Sequence, residues 1–269
     1  MAIMRKVYTT GLPVENDALP INATPVTATN CLTAQFFYDS DWQTPCRGVI
    51  INFTGGTGRG YIDDVTTERV VAAVSQGFAF INTITFPDQP MDVIRNNQAP
   101  IHNYYTYARE PQAYLNLLRD IITPDNAAFL TVNHKVVLCG TSRGAGLVAE
   151  WSELTRWQYA NHKDRVIGLL LNAPAGSIDS GGWPGAYHQI RAIYGFYQKT
   201  NQPTLGLFGA GDVTNAPRQM VERCYRAWSN PLLKVGIVGD ASYSHTWTYD
   251  HQAEWIGLAI AVFNTNYPG

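Results

Sequence analysis

The chain has 269 residues, a length that fits one large α/β domain or two small ones. Its formal net charge of -2 excludes the strongly basic surface that binds nucleic acid or acidic membranes. No apolar run approaches the length of a membrane span, and the first residues lack the apolar stretch of a secretory signal peptide. We therefore expect a soluble globular protein without nucleic-acid or membrane partners, while its compartment and oligomeric state stay open.

The first part of the chain predicts an edge element followed by two strands. Residues 1–26 are polar and contain several prolines, which is typical of an arm or an edge hairpin. Residues 27–38 and 47–53 have the apolar and β-branched composition of strands, and the second run is apolar enough to be buried. Cys31 and Cys46 flank the first strand and could form a disulfide, which the sequence leaves undecided.

A glycine-rich loop at residues 54–60 follows the second strand directly. It lacks the Lys-Ser/Thr ending of a P-loop, because Tyr61 follows its last glycine, and it misses the G-x-G-x-x-G spacing by one residue. A flexible turn is one interpretation. The other is a loop that presents a backbone amide to a substrate oxygen. The order of strand, G-x-S-x-G and helix in residues 134–154 favours this second interpretation.

The next elements continue an alternation of helices and strands. Residues 62–76 have helical periodicity with acidic residues in the first turn, and Gly77 is a suitable C-cap. Residues 78–86 predict a strand. A polar loop with several prolines then leads to a helix predicted within residues 101–122.

The motif that organises the sequence lies in residues 134–154. A short apolar strand at residues 136–138 runs into Gly140-Thr141-Ser142-Arg143-Gly144, and a helix rich in Ala, Leu and Glu follows over residues 145–154. Strand, G-x-S-x-G and helix in this order place a serine on a sharp turn with its hydroxyl exposed. A tight turn with a serine N-cap is the alternative. We favour a nucleophile because the motif has the strand and helix that it requires.

The second half of the chain repeats the same alternation. Strands are predicted at residues 165–171, 204–208 and 232–238, and helices at residues 187–199, 216–228 and 247–263. Most of the strands are continuously apolar, which is typical of a mostly parallel, doubly wound sheet with helices on both faces. Because no linker or internal repeat interrupts the pattern, we expect a single α/β domain over residues 27–269.

Two loops at the carboxyl ends of predicted strands supply candidate partners for Ser142. Asp212 follows the strand at residues 204–208, and His245 lies in the loop after the last strand. Open α/β sheets place their sites at this edge. The candidate acid and the candidate base are therefore expected on the same side of the sheet as the serine.

Other acidic residues and histidines near these positions are alternatives. Asp240 could replace Asp212 as the acid, but it lies very close to His245 in sequence. His251 and Asp250 lie in the predicted closing helix, where a histidine is more often a surface residue. We favour the loop histidine, and expect the remaining histidines to be ordinary surface or loop residues.

The three motifs occur in the order serine, acid, histidine, and in this the chain resembles the α/β-hydrolase family over about residues 27–264. The resemblance implies that Ser142 attacks an acyl carbonyl. It implies that His245 takes the serine proton and returns it to the leaving group, while Asp212 orients the imidazole.

The same resemblance implies an oxyanion hole formed by the backbone amide of Arg143 and an amide at Gly56 or Thr57. The Arg143 side chain departs from the small or apolar residue often found after the nucleophile in this family. It could meet a carboxylate or a polar sugar, or it could pair with an acidic residue at the surface. The sequence leaves both roles open.

The combined pattern predicts a serine hydrolase that cleaves carboxylic esters through an acyl-enzyme on Ser142, without a cofactor or a metal. Other acyl chemistry on the same triad, as in a peptidase, thioesterase or acyltransferase, is one alternative. A catalytically dead protein of the same fold that only binds a ligand or partner is the other.

The segment after residue 171 predicts an open site without a large lid. In this family a lid is usually inserted here, whereas this chain has only a Gly/Ser/Asp-rich loop and one helix before residue 203. An open site buries little of a long acyl chain, which favours short acyl groups. We expect Trp183, Tyr187 and Trp247 to line a pocket for a small-molecule or carbohydrate ester. Packing of these rings onto the sheet is the alternative.

Overall fold

The computed structural model describes residues 1–11, 31–55, 62–84, 124–131, 133–142, 144–146, 148, 165–174, 200, 202–214, 218, 221 and 230–268. The strands are β1 (Ile3–Gly11), β2 (Cys31–Asp39), β3 (Gly48–Phe53), β4 (Phe78–Ile84), β5 (Val136–Thr141), β6 (Val166–Asn172), β7 (Thr204–Gly209) and β8 (Leu233–Val238). The α-helices with defined bounds are α1 (Glu68–Val74), α2 (Trp247–Asp250) and α3 (Gln252–Asn266), and a short 3-10 helix spans Pro124–Asn126.

These strands form one sheet in the order β1-β2-β4-β3-β5-β6-β7-β8. The pairs β1–β2 and β2–β4 are antiparallel, and every pair from β4 to β8 is parallel. The prediction of a mostly parallel sheet is therefore confirmed. The carboxyl ends of β3, β5, β6, β7 and β8 meet at one edge, where the loops that follow them converge.

Apolar side chains cover both faces of the sheet. β3 and β5 are buried along their whole length, because each lies between two parallel neighbours. On one face α1 and α3 pack through Val70, Val74, Trp255 and Phe263. On the other face the helical residues after Ser142 contribute Ala145 and Val148 to a second cluster. Burial of such side chains stabilises the fold by roughly 1.5–3 kcal/mol for each large residue.

The antiparallel edge involves the first residues of the chain. β1 runs the full length of β2, from Ile3 beside Asp39 to Gly11 beside Cys31. An edge strand of this kind lies within the segment expected to be an arm or edge hairpin. Residues 12–30, which join the two strands, lie outside the described part of the chain.

The helix expected at residues 62–76 begins later than its periodicity suggests, at Glu68. The backbone of Ile62 is bonded to a side chain instead: its N–H donates to Gln35 Oε1 at 2.9 Å, and Gln35 Nε2 donates to its carbonyl at 2.8 Å. Asp64 Oδ1 then accepts the N–H of Thr66 at 2.8 Å, which forms a turn rather than a helix. A long-range bond to Gln35 and a local turn at Asp64 therefore delay the helix.

The closing helix expected at residues 247–263 is two helices. His251 separates α2 from α3 with φ -121° and ψ 57°, which is outside the helical region. The helices expected within residues 101–122 and 187–199 lie outside the described residues, as does most of the helix expected at 216–228. Within the described ranges, no helix is long and apolar enough to cross a membrane.

Candidate active site

The serine of the G-x-S-x-G motif lies at the turn between β5 and a helical segment. Ser142 is half-buried and has φ 55°, a left-handed conformation that is uncommon outside glycine. Its N–H donates to the carbonyl of Asn172 at 2.8 Å, and its own carbonyl accepts the N–H of Gly146 at 3.2 Å. The turn is therefore tied to the end of β6 on one side and to the first helical turn on the other.

Glycine is required at both ends of this turn by close backbone approach. A Cβ at Gly140 would lie 2.5 Å from the carbonyl carbon of Gly144. A Cβ at Gly144 would lie 2.6 Å from the carbonyl carbon of Phe53, in β3. Real Cβ atoms do not come so close to backbone, so the motif spacing reflects the packing of the turn against β3.

Asp212 and His245 are in contact, as the sequence predicts. His245 Nδ1 and Asp212 Oδ2 are 3.0 Å apart, the aspartate side chain has no exposed area, and the histidine side chain is 23% exposed. The other carboxylate oxygen accepts the N–H of Thr214 at 2.9 Å. A carboxylate at Nδ1 favours the tautomer with the proton on Nδ1, which leaves Nε2 as a proton acceptor.

The loops that carry the acid and the histidine are packed backbone to backbone. The N–H of Gly211 donates to the carbonyl of Tyr243 at 2.9 Å. A Cβ at Gly209 would lie 2.6 Å from the carbonyl oxygen of Ser244, and one at Gly211 would lie 2.8 Å from the carbonyl carbon of Ala241. Because the loops touch through glycines, the separation between acid and base is set by main chain rather than by flexible side chains.

Asn172 connects the serine turn to the histidine loop. It is fully buried at the carboxyl end of β6, where its carbonyl accepts the N–H of Ser142. Its Nδ2 donates to the carbonyl of His245 at 3.2 Å, and its Oδ1 accepts Nε1–H of Trp247 at 2.7 Å. The sequence analysis missed this residue, although a polar side chain that ends an apolar strand at the site edge is a usable signal.

The start of the glycine-rich loop lies beside the serine. A Cβ at Gly55 would lie 3.7 Å from Ser142 Cβ and 3.1 Å from the carbonyl oxygen of Thr141. The N–H of Gly55 donates to Tyr249 Oη at 2.8 Å, a contact that no sequence pattern indicated. The predicted oxyanion-hole residues themselves, Arg143, Gly56 and Thr57, lie outside the described residues, and their role stays a prediction.

The prediction that Trp247 lines a substrate pocket is wrong. Its side chain is fully buried, because its ring packs edge-on against Trp255 at 5.6 Å and its N–H is bonded to Asn172. Trp247 is therefore a core residue, and it contacts the candidate site through its hydrogen bond to Asn172. Trp183 and Tyr187, the other two predicted pocket residues, lie outside the described residues.

The alternative acid and base are engaged elsewhere. Asp240 is exposed and accepts both the hydroxyl and the N–H of Ser242, and these hydrogen bonds hold the pKa of Asp240 below its ordinary value. His251 stacks on Tyr243 with ring centroids 4.0 Å apart. The structure thus pairs Asp212 with His245, whereas the Asp240 carboxylate is bonded to Ser242 within its own turn.

A second histidine, His134, contacts a cysteine at the amino ends of the parallel strands, which we call the amino edge. Cys46, a free thiol, has its Sγ 3.6 Å from His134 Nε2, and His134 Nδ1 accepts the N–H of Thr131 at 2.7 Å. Burial raises the pKa of Cys46 to about 11 and lowers the pKa of His134. The disulfide with Cys31 that the sequence left open is not formed.

Comparisons with known proteins give relatives by structure alone. No protein-family model matches the chain, and no curated protein matches it. The peroxisomal alpha-beta-hydrolase Lpx1 of Saccharomyces cerevisiae has a TM-score of 0.58 at 14% identity, with 99% of this chain and 89% of that one covered. A fungal esterase from Rhizomucor miehei has a TM-score of 0.60 at 10% identity, covering 98% and 85%.

A third solved structure is covered almost end to end. It is a dienelactone hydrolase-like promiscuous phosphotriesterase from metagenomic libraries, with a TM-score of 0.59 at 15% identity over 97% of this chain and 98% of that chain. At such identities the likeness establishes a shared fold and leaves the activity to be argued from the site.

Proposed function

This chain has the α/β-hydrolase fold, and on that premise we propose that it is a serine hydrolase that cleaves carboxylic esters. The observation that carries the proposal is the buried contact between Asp212 Oδ2 and His245 Nδ1, 3.0 Å long, at the edge of the sheet where Ser142 follows β5. The serine, the acid and the histidine also occur in the chain order of the family. The solved relatives named as esterases and hydrolases are consistent with this chemistry.

The reaction begins with proton transfer from the Ser142 hydroxyl to His245 Nε2 as the oxygen attacks the ester carbonyl. Asp212 stabilises the resulting imidazolium and holds the ring in orientation. The amides of Arg143 and of Gly56 or Thr57 bind the oxyanion. The histidine then returns its proton to the departing alcohol, and an acyl-serine ester remains.

Water completes the cycle by the reverse sequence. His245 takes a proton from a water molecule as it attacks the acyl-serine carbonyl, and the tetrahedral intermediate collapses to a carboxylic acid and free Ser142. No step needs an external oxidant or reductant. The same groups therefore act twice, which is why loss of any one of them affects both halves of the reaction.

Short acyl groups are the proposed acyl portion of the substrate. Residues 175–199, between β6 and β7, lie outside the described part of the chain, and their sequence predicts one loop and one helix rather than a large lid. A long acyl chain left in water forfeits about 0.8 kcal/mol of burial for each methylene. The alcohol portion is proposed to be a small polar or aromatic group, such as a sugar, bound near Trp183 and Tyr187.

A fluorophosphonate probe and an ester series test the proposal. The probe should phosphonylate the native protein at Ser142, located by peptide mass, and leave Ser142→Ala unlabelled. The specificity constant for p-nitrophenyl esters from two to twelve carbons should be highest between two and four. Absence of labelling together with absence of turnover of any acyl donor would indicate the binding-protein alternative, because the probe reacts only with an activated serine. Preferred cleavage of amides or thioesters would indicate the other acyl chemistries.

A further inference from the structure

The hydroxyl of Tyr249 is bonded to the first amide of the glycine-rich loop. Gly55 N–H donates to Tyr249 Oη at 2.8 Å, although the two residues are 194 positions apart in sequence. Tyr249 belongs to α2, the short helix that follows the histidine loop. The contact therefore joins the histidine side of the candidate site directly to the loop after β3.

This contact lies next to the nucleophile. A Cβ at Gly55 would be 3.1 Å from Tyr249 Oη and 3.7 Å from Ser142 Cβ. The glycine thus fills a narrow space between the tyrosine hydroxyl and the serine, where a side chain would crowd both. A hydroxyl that fixes this backbone therefore fixes Gly55 beside the candidate nucleophile.

The ring of Tyr249 packs against the buried guanidinium of Arg69. The Arg69 guanidinium carbon lies 5.3 Å from the centroid of the tyrosine ring, and Arg69 is only 4% exposed. Arg69 Nε donates to Gln252 Oε1 at 3.1 Å, and Gln252 Nε2 donates to the Tyr249 carbonyl at 3.0 Å. Ring and backbone of the tyrosine are therefore both fixed.

The far end of the glycine-rich loop is anchored in the same manner. The buried Gln35 side chain binds both the N–H and the carbonyl of Ile62, and Gln35 in turn accepts from Asn82 at 3.1 Å. Gly55, the last described residue before the undescribed part of the loop, is thus bonded to Tyr249, and Ile62, the first described residue after it, is bonded to Gln35. Two side chains from outside the loop define its end points.

We propose that Tyr249 is a positioning residue for the proposed oxyanion hole: by holding Gly55 N–H, it fixes the backbone from which the chain continues into the predicted donors Gly56 and Thr57. The inference rests on the proposed function. Its consequence is specific to the transition state, because an oxyanion forms only after the serine has attacked.

Tyr249→Phe tests the proposal, since it removes the hydroxyl and keeps the ring over Arg69. We expect kcat for a short-chain ester to fall about ten- to a hundredfold with KM within about twofold, because complete loss of one oxyanion donor typically costs about a hundred- to a thousandfold and displacement should cost less. The affinity for a trifluoromethyl ketone, which mimics the tetrahedral adduct, should fall in parallel. The pH at which activity is half-maximal should not move, because the Asp212–His245 pair is untouched.

The matched control is Tyr8→Phe in the edge strand β1, which also removes a tyrosine hydroxyl that accepts an N–H. Here the donor is the Asn126 side chain rather than a backbone amide. This variant should leave kcat and inhibitor affinity unchanged. As a second measurement, Gly55→Ala should lower kcat less in the Tyr249→Phe background than in the wild type, because the hydroxyl that its Cβ would crowd is absent.

The outcomes separate the two proposals. Wild-type turnover with Tyr249→Phe equal to Tyr8→Phe in kcat and inhibitor affinity would overturn the positioning role and leave the serine hydrolase standing. A matched rise in KM with kcat unchanged would also overturn it, since that pattern indicates substrate binding alone. Absence of Ser142 labelling and of turnover in the wild type would overturn the proposed function and this inference together.

Discussion

In the described part of the chain, a histidine lies beside a potentially reactive partner at each end of the parallel strands, and the two contacts differ in which ring nitrogen is bonded to an acceptor. At the carboxyl edge, His245 Nδ1 faces the buried carboxylate of Asp212. At the amino edge, His134 Nδ1 accepts a backbone N–H, so that its proton lies on Nε2, beside the Cys46 thiol. Nε2 is therefore a proton acceptor in His245 and a donor in His134.

Burial strengthens the difference. Cys46 is 6% exposed and its pKa is raised to about 11, so the thiol stays protonated and unreactive near neutral pH. His134 is kept neutral by the same desolvation, which lowers its pKa. A Cys and a His in contact are therefore no evidence of a second active site. The group bonded to Nδ1 decides whether Nε2 is a proton acceptor or a proton donor.

Ser142→Ala gives the largest expected effect. Turnover of a short-chain ester should fall about a millionfold, because the members of a triad act as one unit. His245→Ala should be nearly as damaging. Initial rates with p-nitrophenyl acetate measure both, and circular dichroism checks that the variants are folded. His134→Gln is the matched control at the amino edge and should keep wild-type rates; if it loses activity as His245→Ala does, the distinction between the edges is wrong.

Asn172→Leu should reduce kcat by roughly a hundredfold, since displacement of reacting groups by about 1 Å has this magnitude. The change removes the donor to the His245 carbonyl and leaves the Trp247 N–H without its acceptor. That buried N–H should also lower the free energy of unfolding by about 1–3 kcal/mol. Steady-state kinetics and urea unfolding measure the two effects.

Trp247→Phe separates the two contributions of Asn172. It removes the indole donor but keeps the Asn172 side chain beside His245, so it should lose stability with a smaller loss of kcat. Equal kinetic losses in both variants would mean that the asparagine acts through the tryptophan alone.

His134→Gln should change the pH dependence of stability rather than the activity. Burial lowers the pKa of His134 in the folded state, so the unfolded chain takes up the proton first as the pH falls. The stability that this neutral histidine contributes is complete above its unfolded pKa, about 6.5, and declines as the pH falls toward the folded value. Urea unfolding at pH 5 and pH 8 should show a smaller difference for the variant; an unchanged difference would contradict this origin.

Alkylation of Cys46 should give the smallest effect. Because burial keeps the thiol protonated, iodoacetamide at pH 8 should modify it many times more slowly in the native protein than in urea. Peptide mass spectrometry measures the two rates at this cysteine. Modification of the native thiol at the rate of an exposed cysteine would show an activated Cys–His pair and break the comparison.

The sequence predicted the parts of the site that lie on local motifs. Ser142 is marked by glycines whose spacing follows from packing against β3, and Asp212 and His245 each follow a recognisable apolar strand. Order along the chain and the shared edge of the strands were enough to expect the acid–base contact. The fold class followed from the same alternation of strands and helices.

Contacts between distant residues were beyond the sequence. The burial of Trp247 depends on Asn172, 75 positions away, and Gly55 meets Tyr249 across 194 positions. The late start of α1 depends on Gln35, in another strand. In each case a side chain forms a hydrogen bond with a group on an element that is distant in sequence. The local periodicity of apolar residues contains no information about such contacts.

The left-handed backbone of Ser142 implies that activity and stability are in conflict at this position. A non-glycine residue at φ 55° is strained by about 1–2 kcal/mol, and Ser142→Ala keeps that strain while abolishing the nucleophile. Ser142→Gly relieves it, offset in part by roughly 0.5–1 kcal/mol of added chain entropy in the unfolded state. The glycine variant should therefore have a higher free energy of unfolding than the alanine variant, by up to about 1.5 kcal/mol. The proposed nucleophilic role and the stability of the turn therefore favour different residues at this position.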